Sequence, residues 1–246
     1  LADMQTVSDA VGQQLADPQI AGVVVLHGTD SMEETALLVS LQHGAAAPVV
    51  FTGAQFTDDH PNADGPANIS AAIRAALDGT PGVRLAFGGR LLPAWALYKH
   101  CTDAADAFRS NADQMPDTTP LPGSVADTRI DIVAIHPGAS DTHIRASMAT
   151  GVQGIVLAAL GSGNASPAIT AAVADCTAAG IPVVLSSRVP VGQLAASYGG
   201  GGGGHDLVAA GAILSARLRP GQARILLAAL IASDRLSQDG ARLFAI

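Results

Sequence analysis

The segment Val25-Leu26-His27-Gly28-Thr29-Asp30-Ser31-Met32-Glu33-Glu34-Thr35 holds the sharpest chemistry in this sequence. An aliphatic run ends at Leu26 and a helical pattern starts near Met32, so a short loop carries a hydroxyl at Thr29 and a carboxylate at Asp30. Loops at the carboxyl end of a parallel strand are where open α/β sheets hold their ligands. The N–H groups that begin the following helix favour an anion. A hydroxyl beside a base can attack or relay a proton, and a carboxylate can take an ammonium. Ser31 with Glu34 also fits the capping box S-x-x-E, so an ordinary helix cap explains the same residues without any chemistry.

Other strand-end loops are candidates of the same kind. In Phe51-Thr52-Gly53-Ala54-Gln55, the pair Gly53-Ala54 leaves bare backbone that could touch a small ligand; a tight turn is the plain alternative. Asp64 reads as the N-cap of a helix with Pro66 in its first turn, a structural role. Gly161-Ser162-Gly163-Asn164 and Ser186-Ser187-Arg188-Val189-Pro190 each follow an aliphatic run. The glycines at 199–204 lack the Lys-Ser/Thr of a phosphate loop, and a flexible or tight connector is expected there. Cys101 and Cys176 form no CxxC pair and read as two separate thiols.

These loops need a scaffold, and the pattern supplies one. Short β-branched runs at Val23–Leu26, Val49–Phe51 and Val83–Phe87 alternate with helical segments at 32–42 and 66–77. Fully apolar strands joined by helices imply parallel βα units. The rhythm breaks between Phe108 and Asp131, where residues 111–124 carry three prolines and no periodicity. It resumes with strands at 132–135, 155–160 and 183–186, helices at 142–149 and 167–179, and a last helix at 221–233. The expected architecture is two doubly wound α/β domains, 1–110 and 131–246, joined by a linker at 111–130. The N-terminal parallel-type sheet is expected to be the larger and the C-terminal parallel sheet the smaller.

The composition narrows the function. With 48% hydrophobic residues the chain is not disordered, and no apolar run reaches the ~18 residues of a membrane span. A formal charge of −8 and a single lysine, Lys99, argue against nucleic acid as a partner. No GxSxG or HExxH motif is present, and no GxGxxG follows an aliphatic run.

His27-Gly28-Thr29-Asp30-Ser31-Met32-Glu33-Glu34-Thr35-Ala36 closely resembles the second signature of the bacterial L-asparaginase family. Four further segments fall in that family's order: Pro48–Ala54, Ala63–Asn68, Gly161–Asn164 and Ser187–Pro190. The tail from Tyr198 to Gly211 is similar to actinobacterial-type members, so the resemblance spans essentially all of the sequence outside the linker. It implies hydrolysis of the asparagine side-chain amide to aspartate and ammonia through a threonine-based acyl-enzyme, without cofactor. Thr29 would be the second active-site threonine, and Asp30, with Gly28 beside it, would bind the substrate ammonium. The backbone at Ala54 would contact the scissile amide. Asn164 would reach the site of a neighbouring subunit in a homodimer or homotetramer. L-Asparagine is the expected substrate and L-glutamine a second one. Lys99 is the candidate proton partner of Thr29, with a structural lysine as the alternative.

The family's first threonine lies in a TGGT-like segment upstream of HGTD, and this sequence holds none. That segment is therefore expected ahead of Leu1, with a further loop near Asn111–Thr119. The place in the cell is expected to be the cytoplasm, export remaining open. Three other functions stay in view: a glutaminase-asparaginase or related amidase, a subunit of a tRNA-dependent amidotransferase, and an inactive amino-acid-binding homologue.

Overall fold

The aliphatic runs form the strands of two parallel-type sheets. The computed structural model describes residues 1–44 and 47–246, and these divide into two units, Leu1–Ala126 and Asp127–Ile246.

In the first unit the order is α1 (Ala2–Leu15), β1 (Val23–Leu26), α2 (Met32–His43), β2 (Pro48–Thr52), α3 (Gly65–Leu77), β3 (Gly82–Phe87), β4 (Arg90–Pro93), β5 (Leu97–Lys99) and β6 (Phe108–Ser110). The main sheet runs β1-β2-β3-β4, parallel through β3 and closed by an antiparallel β4. Gly88 and Gly89, at φ 56° and 75°, make the two-residue turn into β4, where both positions need the left-handed region.

The strand alternation sorts the helices onto two faces. Val49, Phe51, Val83, Leu85 and Phe87 pack with Val11 of α1 and with Met32, Ala36 and Val39 of α2. Val50 and Ala86 point the other way, onto Ala72 and Ala75 of α3. The crossovers β1–α2–β2 and β2–α3–β3 therefore lie on opposite faces, although both step in the same direction along the sheet. They must be of opposite hand, and one of them departs from the right-handed rule that governs about 98% of such connections. The loops leaving β1 and β2 therefore lead to helices on opposite faces of the sheet, the arrangement at which open α/β sheets hold ligands beyond the carboxyl ends of their strands.

Residues 111–126 are irregular, as three prolines dictate, yet they are fastened to the first unit. Leu121 N–H donates to Leu41 O at 2.8 Å and Gln42 Nε2 to Gly123 O at 2.9 Å, and Leu121 and Val125 are buried. The unit boundary falls at Ala126/Asp127.

The second unit holds β7 (Ile130–Ala134), α4 (Thr142–Ala149), β8 (Gly154–Ala159), α5 (Pro167–Ala178), β9 (Val183–Ser187), α6 (Gly204–Ala209), β10 (Ile213–Leu214), α7 (Pro220–Ala232) and α8 (Leu236–Ala245). Its sheet is wholly parallel in the order β10-β9-β8-β7. Ile155, Leu157, Val183 and Leu185 pack with Ile144, Ile169, Val173 and Leu207. On α7, Ile225, Leu226, Leu227 and Leu230 are fully buried, each contributing about 1.5–3 kcal/mol of hydrophobic stabilisation. Both main sheets have four strands, so the extra size expected of the N-terminal unit lies in its two-stranded β5–β6 ribbon. The glycine-rich stretch is a tight turn that starts α6: a Cβ at Gly203 would lie 1.9 Å from Tyr198 O.

Candidate active site

Between β1 and α2 the chain is held by its neighbours. His27 N–H donates to Thr52 O at 2.9 Å, extending the β1–β2 pairing beyond the strand. Gly53 sits directly against this turn, and a Cβ there would come within 2.3 Å of His27 O. Only glycine allows the two loops to approach so closely. Ser31 occupies the N-cap position of α2, but among the described residues its hydroxyl makes no cap hydrogen bond. The capping box expected from the sequence is thus not formed. At φ −130° and ψ 18° the backbone of Ser31 departs from the extended conformation in which a cap hydroxyl reaches the first turn.

The loop presents Thr29 half-buried and Asp30 exposed. Lys99 arrives from the end of β5, seventy positions along the chain, and its Nζ lies 2.8 Å from Thr29 Oγ1 and 3.3 Å from Asp30 Oδ1. The Asp30 side chain is fully exposed, so solvent screens this ion pair and it adds little stability. The β5–β6 ribbon brings Lys99 there. Its register pairs Leu97 with Ser110 and Lys99 with Phe108, and Leu97 and Phe108 are anchored in the core beneath α2.

Glu33, in the first turn of α2, completes the cluster. Its Oε2 accepts the main-chain N–H of Lys99. Burial, reinforced by the charge of Glu34, pushes its pKa up to about 7, against the opposing pull of the Lys99 N–H and ammonium. Sequence reasoning did not single out Glu33. The signal available was the Glu33-Glu34 pair at the start of a helix that continues into the apolar run Ala36-Leu37-Leu38-Val39.

The loop after β2 is held by a second carboxylate. Asp64 takes the N-cap position of α3, yet its side chain turns back to accept Gln55 N–H, Phe56 N–H and Asn68 Nδ2, each at 3.0 Å. Asn68 Nδ2 also donates to Gly53 O at 3.0 Å, and its Oδ1 accepts Gly88 N–H. This network fixes Gly53 and the exposed Ala54. Gly28 lies in open space, with nothing within 4 Å of an added Cβ.

Of the residues singled out from the sequence, the structure brings Thr29, Asp30 and Lys99 together, with Gly28 in the same loop. Asn164 belongs to the second unit, where the loop after β8 folds back so that Leu160 and Asn164 bridge and Asn164 Oδ1 accepts Gly204 N–H at 3.3 Å. Cys101 and Cys176 are both free thiols. Among the described residues there is no His, Cys, Asp or Glu cluster that could hold a metal ion.

Residues 1–120 match the family of asparaginase N-terminal domains, and residues 129–244 match the glutaminase/asparaginase C-terminal domain. The chain is 34% identical to a protein named probable L-asparaginase in Deinococcus radiodurans, covering 97% of this chain and 81% of that relative. The chain belongs to the asparaginase family. Within that family it is also 30% identical to L-asparaginase 2 of Escherichia coli, over 91% of this chain and 70% of the relative. A more distant likeness, 28% identity, links it to a component of the glutamyl-tRNA(Gln) amidotransferase of Methanothermobacter thermautotrophicus; it spans 70% of this chain and 46% of that protein. The cluster of Thr29, Asp30, Glu33 and Lys99 lies within residues 1–120, the part that matches the asparaginase N-terminal domain.

Proposed function

We propose that the protein hydrolyses the side-chain amide of L-asparagine to L-aspartate and ammonia. The observation that carries this is the contact of Lys99 Nζ with Thr29 Oγ1 at 2.8 Å, beside the exposed carboxylate of Asp30. An amine and a hydroxyl at that distance can exchange a proton directly. The names of the relatives as L-asparaginases support the same activity. In this reading Asp30 takes the substrate ammonium, and the main chain at Ala54 faces the amide. A threonine hydroxyl attacks the amide carbon, and the Thr29–Lys99 pair carries the proton to the leaving ammonia. Water then hydrolyses the ester, returning the hydroxyl. The active form is a homodimer or homotetramer in which Asn164 extends towards a neighbouring site.

Ammonia release from asparagine and from glutamine tests the assignment. Release from asparagine that disappears in Thr29→Val supports it. Binding of aspartate without any turnover would overturn it in favour of an amino-acid-binding homologue. The likeness to the amidotransferase component spans less than half of that protein, and a formal charge of −8 disfavours a tRNA partner.

A further inference from the structure

A carboxylate in the first turn of a helix ordinarily stays in water, facing the N-terminal dipole. Glu33 does not. It is withdrawn from solvent and reaches across to β5, where its Oε2 accepts the N–H of Lys99. Lys99 ends a three-residue strand in a two-stranded ribbon, an element that is marginal by itself. Its ammonium sits on four flexible methylenes, and one of its two contacts, Asp30, is fully exposed. The hold on its root is the contact that fixes the main chain from which Nζ reaches Thr29.

We propose that Glu33 is a positioning residue: by tethering the main chain of Lys99 it sets where Nζ meets the hydroxyl of Thr29. The inference rests on the reading of Thr29 and Lys99 as the proton-transferring pair. Among the described residues, the charges that act on the ionisation of Glu33 include Glu34 on its own helix and Lys99 on β5. A carboxylate accepts a stronger hydrogen bond than a neutral carboxyl. The tether therefore tightens as pH rises through about 7, where Glu33 ionises.

The Lys99 amide makes the test direct. In protein labelled with ¹⁵N-lysine the signal followed is the Lys99 main-chain amide, assigned by its loss in Lys99→Arg. In the wild type that signal moves as pH passes through about 7, and in Glu33→Gln it holds still. In kinetics, Glu33→Ala lowers kcat on asparagine by ~10- to 100-fold with KM nearly unchanged, the mark of a misplaced group. Glu33→Gln, which keeps an acceptor oxygen, recovers most of that loss and removes the ionisation near neutrality from the kcat profile. A Lys99 signal that ignores pH in the wild type overturns the tether, as does a Glu33→Ala enzyme with undiminished kcat. The resonance reads the tether whatever the substrate is. Wild-type protein that releases no ammonia but shows the titrating amide would refute the asparaginase assignment and leave the tether standing.

Discussion

Replacing Glu33 with glutamine isolates one ionisation inside the first unit, and its effect on stability can be worked out with its sign. In the folded chain the carboxyl is raised from 4.5 to about 7. It binds its proton more tightly folded than unfolded. Its contribution to stability is therefore complete below about pH 4.5 and is lost as pH rises through about 7. Across that window the loss amounts to about 3 kcal/mol. Glutamine is neutral throughout. Asp106 and Asp239, held below the usual carboxylate range by hydrogen bonds from Arg90 and Arg242 first of all, titrate alike in both proteins and cancel. Trp95, the sole tryptophan and fully buried in the first unit, reports on the unit concerned by its fluorescence. In urea titrations the glutamine variant should gain about 3 kcal/mol on the wild type between pH 4.5 and pH 8. A difference that stays flat to within about 0.5 kcal/mol would refute the desolvated carboxyl between α2 and β5.

Four further substitutions probe the two loops. Thr29→Val should abolish ammonia release while the urea midpoint read by Trp95 stays near that of the wild type, because the hydroxyl lies in a half-exposed loop; a variant of normal activity would remove Thr29 from the mechanism. Asp30→Ala should raise KM for asparagine far more than it lowers kcat, as loss of an ammonium-binding group demands, and steady-state kinetics would show the reverse if Asp30 served the chemical step. Gly53→Ala drives a methyl to 2.3 Å from His27 O and 2.9 Å from Met32 Cε. It should destabilise the first unit by about 2–4 kcal/mol in the same urea assay, whereas Gly28→Ala, facing open space, should change stability by less than about 1 kcal/mol.

The parallel sheets were legible because strands covered on both faces are continuous apolar runs, as in the fully buried β2, and Val23–Leu26 shows the same run although β1 is an edge strand that is only partly buried. Helix α1 was not anticipated. Its buried side is carried partly by Gln5 and Ser8, which hydrogen-bond to Gln42 and so sit in the core without a hydrophobic stripe. The β5–β6 ribbon escaped notice because its strands have three residues each, too few for a period to show. With no pattern there, Lys99 could be named as the partner of Thr29 only through the family resemblance. Thr29 and Asp30 lie in one recognisable loop, while Lys99 reaches them through an element with no pattern of its own. The box of Ser31 and Glu34 illustrates the opposite failure, a motif complete in letters but set aside by the backbone angle at Ser31. Asp64 stands at the N-cap position read from the sequence, but its carboxylate makes no cap bond and binds the loop at Gln55 and Phe56 and the side chain of Asn68 instead.

The opposite hands of the two crossovers in the first unit bear on how such a site can arise. In most doubly wound proteins a cleft marks the place where the strand order doubles back, so each side of the cleft belongs to a separate run of the chain. Here the chain advances one strand at a time and changes only the sense of its winding, and the two loops concerned are consecutive in sequence. A βα module taken from an ordinary right-handed fold could match one of these crossovers in length, polarity and packing volume. It would still erase the arrangement, because its helix would settle on the face already occupied and draw both loops to the same side. The inherited unit is therefore the pair of crossovers together, and recombination that cuts between them separates the chemistry from the shape that makes room for it.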